Sequence, residues 1–221
     1  MPDHISLCIE SIVKNSNLPV NILSPNNLNE FLPLIRSDIW EIIEIAHRAD
    51  YIRACILRQY GGIWVDCDFI CFQSLAPLLD NISEYGLCCS GQEPDKASIW
   101  FLASSKNGIQ VTRWVSAMDH LFDEQGCNAA FGWNDIGSLM LTPILGETGF
   151  HFIERNLFGW IPYNRSEELF QIESDLVENF NGFGFMLFNK MIGQILSKYS
   201  REEILQSGTM LGQLYRRALK D

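Results

Sequence analysis

Apolar positions recur at Ile5, Ile9, Ile12 and Val13 in DHISLCIESIVKN, the three-and-four spacing of an amphipathic helix. PVNILS (19–24) reads as a short strand and SPNNLN (24–29) as a loop. The stretch 37–60, SDIWEIIEIAHRADYIRACILRQY, predicts one long helix, with Asp38 as its N-cap and Glu41 three residues on. Gly61-Gly62 ends it, and IWVD (63–66) follows as a brief buried strand. YGLCCS (85–90), SIWFLAS (98–104) and FHFI (150–153) have the look of strands. GIQVTRWVSAMDHLFDE (108–124) predicts a helix with Ile109, Trp114, Val115, Met118 and Leu121 or Phe122 inward. DIGSLMLTPIL (135–145) is a shorter helix, and FGFMLFNKMIGQIL (183–196) is extended chain entering another. Strands alternating with helices imply an α/β layered domain. No repeat or Pro/Gly/Ser-rich linker divides the chain, so one domain over 1–221 is expected.

Composition narrows the class. Hydrophobic residues make up 47% and charged residues 19% of the 221, enough apolar material for a full core. The net charge of -11 argues against nucleic-acid or anionic-membrane binding, which needs clustered Lys and Arg. Seven cysteines, an odd count with no C-x-x-C pair, sit mostly in apolar runs, so buried reduced thiols are expected. No signal peptide and no transmembrane segment is visible. A cytoplasmic protein is the expectation, peripheral membrane contact being its only compatible membrane role.

The candidate chemistry gathers after strand IWV. In extended chain, residues two apart point to one side, so Asp66 and Asp68 are expected to present both carboxylates to one space. Open α/β sheets bind ligands outside the carboxyl ends of their strands. Two like charges repel unless a cation lies near them. Hard oxygen ligands suit Mg²⁺ or Mn²⁺, which take their remaining ligands from water and substrate phosphates. A metal holding a diphosphate is therefore one reading, and a chance Asp-x-Asp in a loop is the other. Gly61 and Gly62 allow close backbone approach or positive φ beside it.

On the preceding helix Asp50 and Arg53 share a face. They form either a plain intrahelical ion pair or a pair that binds sugar hydroxyls and a phosphate. Asn134-Asp135 precedes the helix at 135–145; Asp135 is an N-cap or a group near an acceptor hydroxyl or donor sugar. Trp100, Trp133 and Trp160 are core residues or stacking platforms. His4, His47, His120 and His151 show no ligand spacing.

Taken whole, RADYIRACILRQYGGIWVDCDF resembles the signature of the DXD sugar transferases. That group includes the capsular-polysaccharide-synthesis transferases, Golgi mannosyltransferases and the glucosylating domains of clostridial toxins. The matching positions are Ala46 or Ala49, Asp50, Arg53, Leu57, Tyr60, Gly61, Gly62, Ile63, Trp64, Asp66 and Asp68. WNDIGSLMLTPIL resembles the family's Gly-Pro-x-x-Leu-Thr helix, with Ser138 where proline is usual. NFNGFGFMLFNKMI is similar to a late His-Leu-Trp-Asn segment.

The resemblance implies a Rossmann-like GT-A fold with a mostly parallel mixed sheet. It implies a retaining, metal-dependent glycosyltransferase that takes a UDP- or GDP-sugar donor and a glycan acceptor, in capsule or surface-polysaccharide synthesis. Asp68 would bind Mn²⁺ or Mg²⁺ directly, and Asp66 would contact ribose or donor sugar, or reach the metal through water. Asp50, Arg53, Tyr60, Gly61, Gly62 and Asn134 would line the substrate, with Asp135 near the reacting groups. Where relatives carry a metal-binding His this chain has Met186; Asn189 could supply an oxygen instead, or simply start a helix. The family's first strand has no counterpart here: it lies upstream, another segment fills its place, or nucleotide binding is impaired. A non-catalytic sugar-nucleotide-binding relative and a haloacid-dehalogenase-like phosphotransferase are the alternative readings.

Overall fold

The computed structural model describes residues 1–91, 97–172 and 175–220. In chain order it forms α1 (Asp3–Asn15), α2 (Leu28–Phe31), α3 (Ile45–Tyr60), β1 (Gly62–Val65), β2 (Phe69–Cys71), α4 (Leu78–Tyr85), β3 (Leu87–Gly91) and β4 (Ala97–Ser104). Then come α5 (Ile109–Gln125), α6 (Ser138–Thr148), β5 (His151–Ile153), β6 (Phe158–Trp160), α7 (Asp175–Asn179), β7 (Gly184–Met186), α8 (Asn189–Leu196), α9 (Arg201–Gln206) and α10 (Met210–Leu219). The fold is α/β with two mixed sheets. The chain gathers into two units, each with its own core: a terminal unit (Met1–Val20, Asp66–Pro77, Glu154–Asp221) and a central unit (Asn21–Val65, Leu78–Ile153).

In the central unit the sheet order is β1-β4-β3-β5. β1 runs antiparallel to β4, β4 antiparallel to β3, and β3 parallel to β5. Tyr51, Ala54 and Leu57 of α3 share the core with Val111, Trp114, Val115 and Met118 of α5 and Leu141 of α6. Two polar ties fix this packing: the Tyr51 hydroxyl donates to Asp119 Oδ1 at 2.7 Å, and Trp114 Nε1 donates to the Ile136 carbonyl at 2.8 Å.

In the terminal unit the order is β2-β7-β6, with β2 antiparallel and β6 parallel to β7. The apolar face of α1 lies against this sheet and α10. Ser11 Oγ donates to the Cys8 carbonyl and accepts from the Cys71 amide at 2.9 Å, while Asn15 Nδ2 donates to the Cys71 and Ala218 carbonyls. Asparagine and serine thus carry the ordered contacts that apolar packing alone would leave free to slide.

Several expectations are corrected. The sheets are mixed but not mostly parallel: β1–β4, β3–β4 and β2–β7 are antiparallel. β3 ends at Gly91 and β4 begins at Ala97, too short a step for the crossover that parallel pairing needs. Residues 19–24 form no strand; Val20 and Ile22 are exposed, and among the described residues no strand pairs with them. β1 is a half-buried edge strand rather than a buried one. The long helix is interrupted: a 3-10 turn at Ser37–Glu41 is followed by extended Ile42, and α3 starts only at Ile45. This break lets Ile39 and Ile42 enter the core while Ile43 and Ile45 stay outside. Asp38 caps nothing, because Arg36 grips it through Nε to Oδ1 at 2.7 Å and Nη2 to Oδ2 at 2.8 Å. Ile109 is exposed in the first turn of α5, and Val111 takes the inward place.

The turn between α3 and β1 requires glycine. Gly61 has φ +70 and ψ −158, a region essentially closed to side chains, and an added Cβ would stand 2.6 Å from the Lys106 amide nitrogen. Gly62 has φ +88 but open space around it. Gly61→Ala is therefore expected to cost about 3 kcal/mol in urea unfolding, the top of the range for backbone strain, because the opposing atoms are backbone. Gly62→Ala should cost only about 1–2 kcal/mol.

A second expectation concerns acid. Arg36 lowers the Asp38 carboxyl to about 2. A depressed carboxylate pKa stabilises the fold above the unfolded value and loses that contribution as pH falls through the folded one. Asp38→Asn should cost under about 1 kcal/mol at pH 7, since the pair is partly solvated. In thermal melts the gap should shrink below pH 3.8 and close below about pH 2.

Candidate functional site

The Asp-x-Asp segment belongs to the terminal unit. It is not extended: the Phe69 amide donates to the Asp66 carbonyl at 3.2 Å, closing a tight turn with Cys67 exposed at its tip. Side-chain alternation along a strand therefore does not apply to Asp66 and Asp68, and a turn sets their relation instead. Both carboxylates still act on one group. The Cys67 thiol is pushed up to about 11, first by burial of the thiol and then by Asp68 and Asp66.

Asp68 is 7% exposed. Its Oδ2 accepts from the Asn189 amide, the first of α8, at 2.6 Å, and its own carbonyl accepts from the Leu187 amide at 3.2 Å. A carboxylate on a helix N-terminus gains both a charge-assisted hydrogen bond and the positive end of the helix dipole. α8 is entered through Phe188, which has φ 54 and ψ 65, a rare left-handed geometry for a bulky residue. Trp160 meets the Phe188 ring edge-on at 5.6 Å. Asn189 Oδ1 lies 2.8 Å from Nε2 of buried His4. The structure thus brings Asp66, Asp68 and Asn189 into one unit, with Asp68 and Asn189 in direct contact.

Met186 is a buried β7 residue paired with Phe69 and Trp160. The exposed start of α8 at Asn189, rather than the strand, is where a polar ligand is offered.

A second polar cluster lies in the central unit. Asp50 and Arg53 are each 5% exposed, with Arg53 Nη2 3.4 Å from Asp50 Oδ1. Arg53 Nη1 also donates to the Ile99 carbonyl of β4, Nε to the Ala49 carbonyl, and the guanidinium lies 5.4 Å from the Trp64 ring centroid. This is a buried tie between α3 and the sheet, not a solvated helix-surface pair. Gly137 completes it: a Cβ there would stand 2.9 Å from Asp50 Oδ2 and 3.3 Å from Asn134 Oδ1. Asp50, Arg53 and Asn134 thus converge, and Gly137 is the contact that sequence reasoning missed.

The remaining candidates are placed differently. Asp135 is exposed and accepts from the Gly132 amide at 2.6 Å; α6 begins at Ser138 with Gly137 as its cap, so Asp135 is not the N-cap. The Tyr60 hydroxyl donates to the Phe31 carbonyl at 2.7 Å and so tethers α2. Gly61 and Gly62 shape the α3–β1 turn. Trp133 is exposed, while Trp100 and Trp160 are half-buried. His47 is 3% exposed, and its Nε2 has no hydrogen-bond partner among the described residues. His4, one of the four histidines without ligand spacing, is buried on the face of α1 that carries Ile5, Cys8 and Ile12, and that placement was the available signal.

Could a divalent cation be held here? Among the described residues no three His, Cys, Asp or Glu side chains converge into a protein cage. Asp66, Asp68 and the Asn189 amide are hard oxygen donors in one unit. By donor type they are the hard oxygens that Mg²⁺ and Mn²⁺ take when phosphate and water complete the coordination.

Comparison with known proteins adds the following. A family model described as capsular polysaccharide synthesis protein matches residues 1–124, which include the Asp50–Asp68 block. Among curated proteins nothing matches. A solved structure titled "PaToxG Glycosyltransferase" is similar at 14% identity and a TM-score of 0.45, over 99% of this chain and 80% of that one.

Removing the arginine of the buried pair takes away the cation 3.4 Å from the Asp50 carboxylate. Arg53→Met is expected to cost about 3–5 kcal/mol in urea unfolding. Adding Asp50→Asn should recover at least about 1 kcal/mol, the coupling expected of groups in contact.

Proposed function

We propose, from the premise that this chain belongs to the capsular polysaccharide synthesis protein family, that it is a glycosyltransferase moving a sugar from a nucleotide-diphospho-sugar to a glycan acceptor. The observation that carries the proposal is the buried Asp68 carboxylate, seated on the first amide of α8 beside Asn189 and one turn residue from Asp66. Asp68 and Asn189, with Asp66, would hold Mn²⁺ or Mg²⁺. The chemistry such an ion supplies there is neutralisation of charge on the departing diphosphate. The helix amide fixes the direction of the Asp68 carboxylate, so no reorganisation is needed when that charge develops.

In the central unit, Asp50 and Asn134 offer acceptors for sugar hydroxyls, and Arg53 holds the Asp50 carboxylate in place. Retention of the anomeric configuration belongs to the same reading, through the sequence resemblance. UDP- and GDP-sugars are both candidate donors. A cytoplasmic setting is supported by seven cysteines of which none is in a disulfide. Among the described residues no helix is long and apolar enough to cross a membrane.

The test is a panel of UDP- and GDP-sugars offered to the full chain with Mn²⁺, reading transfer or hydrolysis. Turnover should stop on addition of EDTA. Asp68→Asn should lower kcat by about 10²–10³, the loss typical of one electrostatic catalyst. A chain with neither turnover nor Mn²⁺-dependent nucleotide binding would not be a transferase of this kind. Release of phosphate from simple phosphomonoesters would favour the phosphotransferase reading instead.

A further inference from the structure

Asn189 does not stand alone at the head of α8. His4, 1% exposed, reaches across from α1 and places Nε2 at 2.8 Å from Asn189 Oδ1. Oδ1 accepts, so this contact is a hydrogen bond in the Nε2–H tautomer of His4. Nδ1 on the far side of the ring is buried without a hydrogen-bond partner among the described residues. The ring is itself fixed, because the Tyr215 hydroxyl donates to the His4 carbonyl at 2.8 Å and lies 3.3 Å from Cys8 Sγ. From below, Gly193 leaves the space the carboxamide occupies: a Cβ there would fall 2.4 Å from Asn189 Oδ1.

We propose that His4 and Gly193 are positioning residues that hold the Asn189 carboxamide in one orientation, so that its oxygen serves a divalent cation together with Asp68. The inference rests on the metal-dependent reading above and adds the residues that orient its amide ligand. A carbonyl oxygen has two lone pairs; His4 takes one and leaves the second direction defined. Outer groups of this kind orient ligands and change metal affinity by about 10–100-fold when lost. A bulky core histidine serving only to fill space would need no donor aimed at an exposed side chain.

The test measures Mn²⁺ affinity in the presence of UDP or GDP, by electron paramagnetic resonance or calorimetry, on the full chain. His4→Leu should weaken Mn²⁺ about tenfold. His4→Gln, whose amide nitrogen can stand near the Nε2 position, should stay within about threefold of the wild type, a donor replaced by a donor. Gly193→Ala gains helix propensity, but its Cβ, 2.4 Å from Asn189 Oδ1, must move the carboxamide off His4. It should change Tm by no more than about 4 °C, the scale of one lost hydrogen bond in a chain of this size, while weakening Mn²⁺ about tenfold as His4→Leu does. In the wild type, Mg²⁺ with the nucleotide should shift the His4 Nε2–H resonance. Wild-type affinity in both His4→Leu and Gly193→Ala, or an unmoved His4 signal on saturation, would overturn the inference while leaving the transferase reading intact. A wild type that binds no Mn²⁺ with either nucleotide would overturn both.

Discussion

A carboxylate taken out of water has to be compensated where it lies, and Asp68 is the point at which this chain meets that requirement. Burying a charge without partners costs several kcal/mol, so the surroundings of Asp68 are constrained far more tightly than those of an exposed acid. Its side chain takes the first amide of α8 and its carbonyl takes the Leu187 amide, so the joint between β7 and α8 is docked on the motif by both side chain and backbone. Phe188 lies inside that joint in a left-handed conformation that costs on the order of 1–3 kcal/mol and persists only where neighbours over-determine it. Two hydrogen bonds to Asp68, one on each side of Phe188, are neighbours of that kind.

The central unit solves a similar problem by other means. Arg53 is divided among Asp50, two backbone carbonyls and an indole face, so its charge is spread over α3, β1 and β4. Glycine supplies the clearance on both flanks. Gly137 lets Asn134 approach Asp50, and Gly61 lets the end of α3 lie against the backbone after β4. Neither glycine needs to touch a ligand to matter. At Gly61 the missing side chain lets backbone meet backbone, and at Gly137 it leaves room for the Asp50, Asn134 and Ile99 side chains.

Much of this was legible in the sequence where one local rule dominates. Helical spacing found α1 and α5, and apolar runs found β3, β4 and β5. Glycine pairs marked the end of α3. The Asp50–Arg53 spacing correctly put the two residues on one face, but spacing cannot tell a solvated pair from one buried against a sheet. Where two local signals competed, the reading failed. Asp38 followed by Glu41 looks like a capping box, yet Arg36, two residues earlier, offers the Asp38 carboxylate a bidentate partner that a helix terminus cannot match. The Asp-x-Asp triplet was read as extended, whereas the turn closed by the Phe69 amide starts β2 immediately. His4 was passed over because its partner lies 185 residues away, a pairing that no window of sequence contains.

Charge supplies the last step toward function. The chain carries -11 overall, and the two acids of the motif both raise the Cys67 thiol between them. A nucleotide-sugar donor brings a diphosphate that gains negative charge as the sugar departs. Arg53, which a phosphate could otherwise engage, is already shared with Asp50 and the Ile99 carbonyl, and withdrawing it would remove the cation that faces a buried acid. A diphosphate approaching Asp66 and Asp68 would meet repulsion at short range in a medium less screening than water. In the proposed reading, Mn²⁺ or Mg²⁺ held by Asp66 and Asp68 would supply the positive charge that offsets this repulsion.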